Sequence, residues 1–250
     1  MLYSRTIGTG KDLVLLHGWG FNSNLFNDFV RRYKSQYRIT VIDLPGHGRS
    51  DDVEGGIGEW CDEIIKILPD NPILVGWSLG GLLAINIANT IRLSQLILLA
   101  SSPKFVTSDD WNYGIDADNF RQFSATLSLN LAKGLKRFVS LQSKNKAQLK
   151  SLNQSIDALP ATAMALNQGL NILLDCDFRQ QFEQLKIPIR IILGQQDTLI
   201  PIHIAKWYER QNIPVTILAS GHLPFLHPDF ELRIIPFIKT NDTKSTNYCP

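Results

Sequence analysis

The run Ile73-Leu74-Val75-Gly76-Trp77-Ser78-Leu79-Gly80-Gly81 carries the architecture of this chain. An apolar segment that reads as a buried strand ends on a serine set between two glycines, G-x-S-x-G, and the helix-length segment Leu82 to Asn89 follows directly. Strand, tight turn and helix in that order form a nucleophile elbow. The serine of such an elbow sits on strained backbone, and glycines at 76 and 80 remove Cβ atoms that would collide with the neighbouring chain. The helix that follows presents unpaired N–H groups at its start, where a developing oxyanion can be held.

Outward from the elbow, short apolar runs alternate with amphipathic segments, the pattern of a parallel sheet covered by helices. Strands are expected at Leu13 to Leu16, Ile39 to Asp43, Ile73 to Gly76, Leu96 to Ala100, Ile189 to Gly194 and Val215 to Ala219. These runs are dense in Ile, Leu and Val with little alternation, as strands buried on both faces are. Tyr3 to Ile7 is expected to add an antiparallel edge strand. Helices are expected at Asn24 to Ser35, Ile57 to Leu68, Leu79 to Asn89, His203 to Arg210 and Asp229 to Ile238. Between Pro103 and Lys186 no strand-like run occurs, only helical spacing such as Leu127, Leu131, Leu135, Phe138 and Val139. So long an interval is expected to be an inserted helical cap over the carboxyl ends of the strands. The expected division is α/β core over 1–103, cap over 104–186, core again over 187–239, and a polar, flexible tail over 240–250.

A serine hydroxyl needs a histidine base and an acid to orient it, and on this architecture the chain order is serine, acid, histidine. That order removes His17 and His47, which precede Ser78. His203 and His227 stand at expected helix starts beside Pro201 and Pro228, whereas His222 lies in a loop beyond the last strand, after Ser220-Gly221. His222 is the expected base. Asp197 follows the strand Ile189 to Gly194 and is the expected acid, while Asp157, Asp175 and Asp177 fall in the cap pattern and read as helix caps or surface charges. The oxyanion donors are expected to be the backbone N–H of Leu79 and that of Trp19 in the loop His17-Gly18-Trp19-Gly20. His17, and the turn Asp43-Leu44-Pro45-Gly46-His47-Gly48-Arg49-Ser50, read as scaffold.

Composition narrows the field. Of 250 residues, 44% are hydrophobic and 19% charged, a balance that excludes global disorder. A formal net charge of +2 is too even to suggest nucleic-acid binding. Cys61, Cys176 and Cys249 are an odd number at wide spacings, which fits a reducing compartment, and with no signal peptide or membrane span in the pattern the cytoplasm is expected. Phosphate-loop, dinucleotide and H-E-x-x-H patterns are missing, so no metal or cofactor is expected. A monomer is the working expectation. Serine at position 78 favours esters, thioesters, amides or acyl transfer.

The motifs His17-Gly18-Trp19-Gly20, Gly76-Trp77-Ser78-Leu79-Gly80-Gly81 and His222-Leu223-Pro224-Phe225 resemble those of the α/β-hydrolase superfamily. Together with Phe138-Val139-Ser140-Leu141-Gln142, Gly169-Leu170-Asn171-Ile172-Leu173 and Asp177-Phe178-Arg179, they are most similar to the BioH-type esterases, which demethylate pimeloyl-acyl-carrier-protein methyl ester in biotin synthesis. The resemblance implies a Ser78, Asp197 and His222 triad, an oxyanion hole at Trp19 and Leu79, and substrate contacts at Phe138, Leu141 and Gln142. It also implies that the cap meets an acyl carrier protein, with Arg121, Lys133, Lys136, Arg137 and Lys144 as docking candidates. The cap departs from the family in carrying lysines where several arginines are usual. Independently, the stretch Asn119 to Ile156 has no Asp or Glu and seven Lys or Arg, a one-signed surface suited to an acidic partner. The acyl chain is expected in an apolar slot bordered by Trp19, Trp77, Leu79, Phe138 and Phe225. Two other readings share these residues: a general short-chain carboxylesterase, and a non-catalytic binding protein on the same fold.

Overall fold

The computed structural model describes residues 1–129, 131–142 and 146–240, without the side chains of 127–129, 131–133, 141, 142, 147, 151 and 240. Cys249 and all of the expected 240–250 tail except Thr240, which ends the last helix, lie outside the described residues.

Seven strands form one sheet: β1 (Ser4–Ile7), β2 (Lys11–Leu16), β3 (Tyr37–Ile42), β4 (Ile73–Trp77), β5 (Gln95–Leu99), β6 (Ile189–Gly194) and β7 (Val215–Leu218). Their spatial order is β1-β3-β2-β4-β5-β6-β7, with β1 antiparallel to β3 and every other pair parallel. All residues of β4 and β5, and Leu13 to Leu16 of β2, are buried, which is why these strands read as unbroken apolar runs. The order in which strands are added reverses between β2 and β4, where Leu15 pairs with Val75. A crevice at the carboxyl ends of strands flanking such a reversal is the natural ligand site of an open α/β sheet. The loop His17–Gly20 leaves β2 there, and Ser78 leaves β4 beside it.

The helices of the first half are α1 (Asn27–Tyr33), α2 (Ile57–Ile65) and α3 (Leu79–Ala88). Helix α3 is buried around nearly its whole circumference, packed on β4 and β5 and against α2. The expected helix over Asn24 to Ser35 is instead a 3-10 turn, Ser23–Phe26, followed by α1. The reason is local: the Asn22 side chain accepts from Asn24 N, and the buried Asp43 carboxylate accepts from Ser23 N at 2.6 Å, so the chain starts its turn early and tightly.

Between β5 and β6 the chain forms α4 (Ala117–Leu129), α5 (Leu131–Gln142), α6 (Lys146–Ala158), α7 (Ala163–Asp175) and α8 (Arg179–Gln184). The two connections of this helical insertion are tied together. Phe178 N donates to Pro103 O, and the Arg179 guanidinium bridges Asp177 and Asp110 while lying over the Trp111 ring; Lys104 Nζ meets Asp177 at 3.0 Å. Farther out, Thr162 N donates to Gly46 O and Asn22 Nδ2 donates to Ser155 O and Leu159 O, which seats the α6–α7 corner on the core. A 3-10 turn (Ile202–Ile204), α9 (Ala205–Arg210), a further 3-10 turn (Pro224–Leu226) and α10 (Phe230–Thr240) complete the order. No helix among the described residues is long and apolar enough to cross a membrane.

Candidate active site

Ser78 has φ 54° and ψ −119°, a conformation that costs a residue with a Cβ about 1–3 kcal/mol and persists only where the surroundings impose it. Here they do. Ser78 N donates to Leu99 O at 3.0 Å, and its carbonyl accepts from Gly81 N, Leu82 N and the Ser101 hydroxyl. A Cβ on Gly76 would strike the Gly80 carbonyl and Gly81 Cα, and one on Gly80 would strike the carbonyls of His17 and Leu16. Both glycines therefore serve the close approach of three backbone segments. Ser101, held in turn by the Tyr208 hydroxyl on its own carbonyl, is a support that sequence reasoning missed. Its only sequence signal is its place just past the end of β5.

His222 and Asp197 come from adjacent loops. Gln195 N donates to Leu218 O and Gln196 N to Ser220 O, so the loop after β6 is laced to the loop after β7. The lacing places Asp197 Oδ2 2.8 Å from His222 Nδ1, with both side chains essentially inaccessible to water. Asp197 Oδ1 accepts from Leu199 N and Ile200 N, so both carboxylate oxygens have partners and the carboxylate cannot rotate away. With the Nδ1 proton directed at Asp197, Nε2 is left as the acceptor; it is buried and has no hydrogen-bond partner among the described residues. A buried ring nitrogen without a partner is uncommon, and Nε2 keeps its lone pair free to accept a proton. Trp77, next to Ser78, donates its indole N–H to His222 O at 2.7 Å and packs its ring 5.5 Å from the imidazole.

Ser78 opens onto an apolar cavity of about 100 Å³. Trp19 and Phe138 form one wall, ring against ring edge at 5.0 Å, and Trp19 Nε1 is pinned to Leu166 O on α7. Phe120, Phe123, Leu170 and Leu173 contribute from α4 and α7, and exposed Asn119 stands at the rim. Of the expected slot residues, Trp19 and Phe138 line this cavity, Leu79 is buried at the start of α3, and Trp77 and Phe225 stand behind the elbow, 5.3 Å apart. Phe225 faces a different cavity, of about 400 Å³ between α1 and α10, that includes none of Ser78, Asp197 and His222. Phe120 and Phe123 escaped the sequence reading although they lie three apart on one helix, a spacing that places both on one face.

The side chains of Leu141, Gln142 and Lys133, and all of Lys144, lie outside the described residues. Lys136 and Arg137 are exposed on α5, and Lys146 and Lys150 are exposed on α6. Arg121 is exposed too, but its guanidinium is paired with Asp118 at 2.8 Å one turn earlier on α4, so part of its charge is compensated locally. His17 and His47 are fully buried behind the Trp19 loop, and burial holds both imidazoles neutral, pushing His47 down to about 3 and His17 below its ordinary value.

Comparison with known proteins shows the family and the fold. Residues 13–232 match the model of the Alpha/beta hydrolase family. The chain is 37% identical over 239 residues to the pimeloyl-[acyl-carrier protein] methyl ester esterase of Pseudoalteromonas atlantica, covering 90% of this chain and 92% of that protein. It is 36% identical over 236 residues to the protein of the same name from Shewanella woodyi, with 90% and 92% covered. Among solved structures, the bromoperoxidase from Bacillus anthracis superposes with a TM-score of 0.87 at 22% identity, covering 95% of each chain. The esterase EaEST from Exiguobacterium antarcticum gives 0.81 at 23%, covering 98% of this chain and 94% of that one. These two likenesses carry the fold alone. The resemblance expected from the motifs is met by family model and relatives alike: the chain belongs to the alpha/beta hydrolase family.

Proposed function

We propose that this chain is a serine carboxylesterase that hydrolyses the methyl ester of a carrier-protein-bound pimeloyl chain, releasing methanol and the free carboxylate. The hydrolytic part is supported by strained Ser78 lining an apolar cavity and by the buried His222–Asp197 pair, which is tied to the elbow through Trp77, the residue before Ser78, whose indole N–H donates to His222 O. The names of the relatives support the substrate. His222 Nε2 takes the Ser78 hydroxyl proton as the oxygen attacks the ester carbonyl, and Asp197 holds the imidazolium that results. The N–H groups of Leu79 and Trp19 receive the oxyanion. Collapse passes the proton from His222 to the leaving oxygen, which departs as methanol and leaves an acyl-Ser78 ester. A water that gives its proton to His222 then cleaves that ester, the acid leaves, and Ser78 recovers its proton. No cofactor takes part in these steps.

Residues 104–186 act as the cap in this reading, closing the acyl chain against Trp19 and Phe138. The carrier stays outside against Lys136 and Arg137, with Lys133, Lys144 and the partly compensated Arg121 as further docking candidates. The reaction is placed in the cytoplasm, consistent with unpaired Cys61 and Cys176. The narrowness of the cavity favours a second reading, a general short-chain esterase indifferent to the carrier. The test compares purified protein on pimeloyl-carrier methyl ester and on p-nitrophenyl butyrate, at low and high salt. Ser78→Ala is expected to lose at least about 10⁴-fold in kcat on both with its fold intact. A folded Ser78→Ala variant with wild-type turnover overturns the hydrolytic reading, and equal kcat/KM on both esters with no salt dependence favours the second one.

A further inference from the structure

We propose that His17 and His47 form a two-imidazole clasp that sets the oxyanion loop, and that His47 is a positioning residue for hydrolysis, acting through Gly20 on Trp19. The proposal rests on the site reading above and deepens it. His17 Nε2 accepts from Leu44 N at 2.9 Å, and its Nδ1 lies 2.8 Å from Gly18 O. His47 Nε2 accepts from Gly20 N at 3.1 Å, and its Nδ1 lies 2.8 Å from Pro45 O. Each ring therefore carries its proton on Nδ1, donates it to a carbonyl, and offers Nε2 to a backbone N–H of the other loop. The rings are 5.3 Å apart. Trp19, whose N–H is the second oxyanion donor of the proposed mechanism, stands between Gly18, held through its carbonyl by His17, and Gly20, held through its N–H by His47.

Two of these bonds join the loop after β2 to the turn after β3, Leu44 N to His17 Nε2 and Gly20 N to His47 Nε2, and no other described hydrogen bond ties Gly20 to that turn. The charged group facing both rings is the Asp43 carboxylate, which is buried and already engaged by Ser23 N, Arg49 N and the Arg49 guanidinium. Trp60 closes the far side of His47 with its ring edge at 6.0 Å. An oxyanion donor works only when aimed at the place the negative charge will occupy, so loosening the loop should weaken the transition state more than the bound substrate.

The experiment uses the full-length protein with p-nitrophenyl butyrate. His47→Leu is expected to lower kcat by about 10²-fold while KM changes by no more than about threefold, the split that marks an interaction made in the transition state. His47→Gln, whose amide oxygen reaches as far as Nε2 and can accept from Gly20 N–H, is expected to recover most of that loss. His47→Asn, which is too short, is expected to recover none. A folded His47→Leu variant with kcat near wild type, a loss confined to KM, or equal kcat for His47→Gln and His47→Asn overturns the clasp; the last comparison decides if His47→Leu does not fold. Ser78→Ala is run alongside: wild-type turnover there overturns the site reading itself and the clasp's role with it, whereas its inactivity beside an unimpaired His47→Leu removes the clasp alone.

Discussion

At the scale of single residues, burial without charge is the recurring device behind the site. His17 and His47 are held neutral in the fold, chiefly by burial, whereas in the unfolded chain each takes up a proton near its ordinary value of 6.5. Between about 6.5 and about 3, where His47 titrates in the fold, the unfolded state therefore binds more protons than the native state. Stability rises with pH across that window and is lost progressively as the pH falls through it, by on the order of 3 kcal/mol for His47 by pH 4, with a contribution of the same sign from His17. Urea unfolding at pH 7, 5.5 and 4.5 measures this directly. His47→Gln has no proton to gain, so its stability is expected to fall less steeply with acid than that of the wild type, and parallel curves would show that the imidazole is not held neutral.

At the scale of elements, the site depends on how loops are bound to one another more than on the helices and strands that launch them. Asp197 meets His222 because two successive backbone hydrogen bonds join the loops after β6 and β7. The helical insertion is anchored in the same way, by the Arg179 cluster where its two connections pass each other. Arg179 holds Asp177 well below the usual carboxylate range, at about 2, against the opposing effect of burial. Replacing Arg179 by Gln leaves two carboxylates short of their main cationic partner. Because the cluster is only partly buried, the expected cost is roughly 1–2 kcal/mol. Amide hydrogen exchange is expected to quicken over 103–111 and 177–179 before it does in β4 and β5; a uniform change across the sheet would count against a clamp local to the insertion.

At the scale of the whole molecule, charge is segregated more than the net value suggests. The chain sums to +2, yet the stretch 119–156 contains no acidic residue, and Lys136, Arg137, Lys146 and Lys150 of α5 and α6 are exposed. Such a surface raises the association rate of an acidic partner and is screened by salt over about 8 Å at physiological ionic strength. Changing Lys136 and Arg137 together to Glu is expected to lower kcat/KM on carrier-bound ester by about 10-fold or more at low salt, with the difference shrinking as salt is added, and to leave p-nitrophenyl butyrate unaffected. Equal loss on both substrates would remove the docking role.

Local pattern was enough for the framework. Strands buried on both faces leave unbroken Ile, Leu and Val runs, so β2 to β7 were legible to within two residues, and Ser78, Asp197 and His222 stood out as candidates because each directly follows a strand end or its loop. The early 3-10 turn at Ser23 was not legible, since its cause is the carboxylate of Asp43, twenty residues away. Trp19 and Phe138 were legible as walls of the Ser78 cavity, but Phe120 and Phe123 beside them, and the support given by Ser101 and His47, were not, because these follow from segments far apart in the chain being pressed together. Spacing along a chain reports which face a residue takes within its own element; which distant side chain meets that face is settled by packing of the assembled core, and no short stretch of sequence contains it.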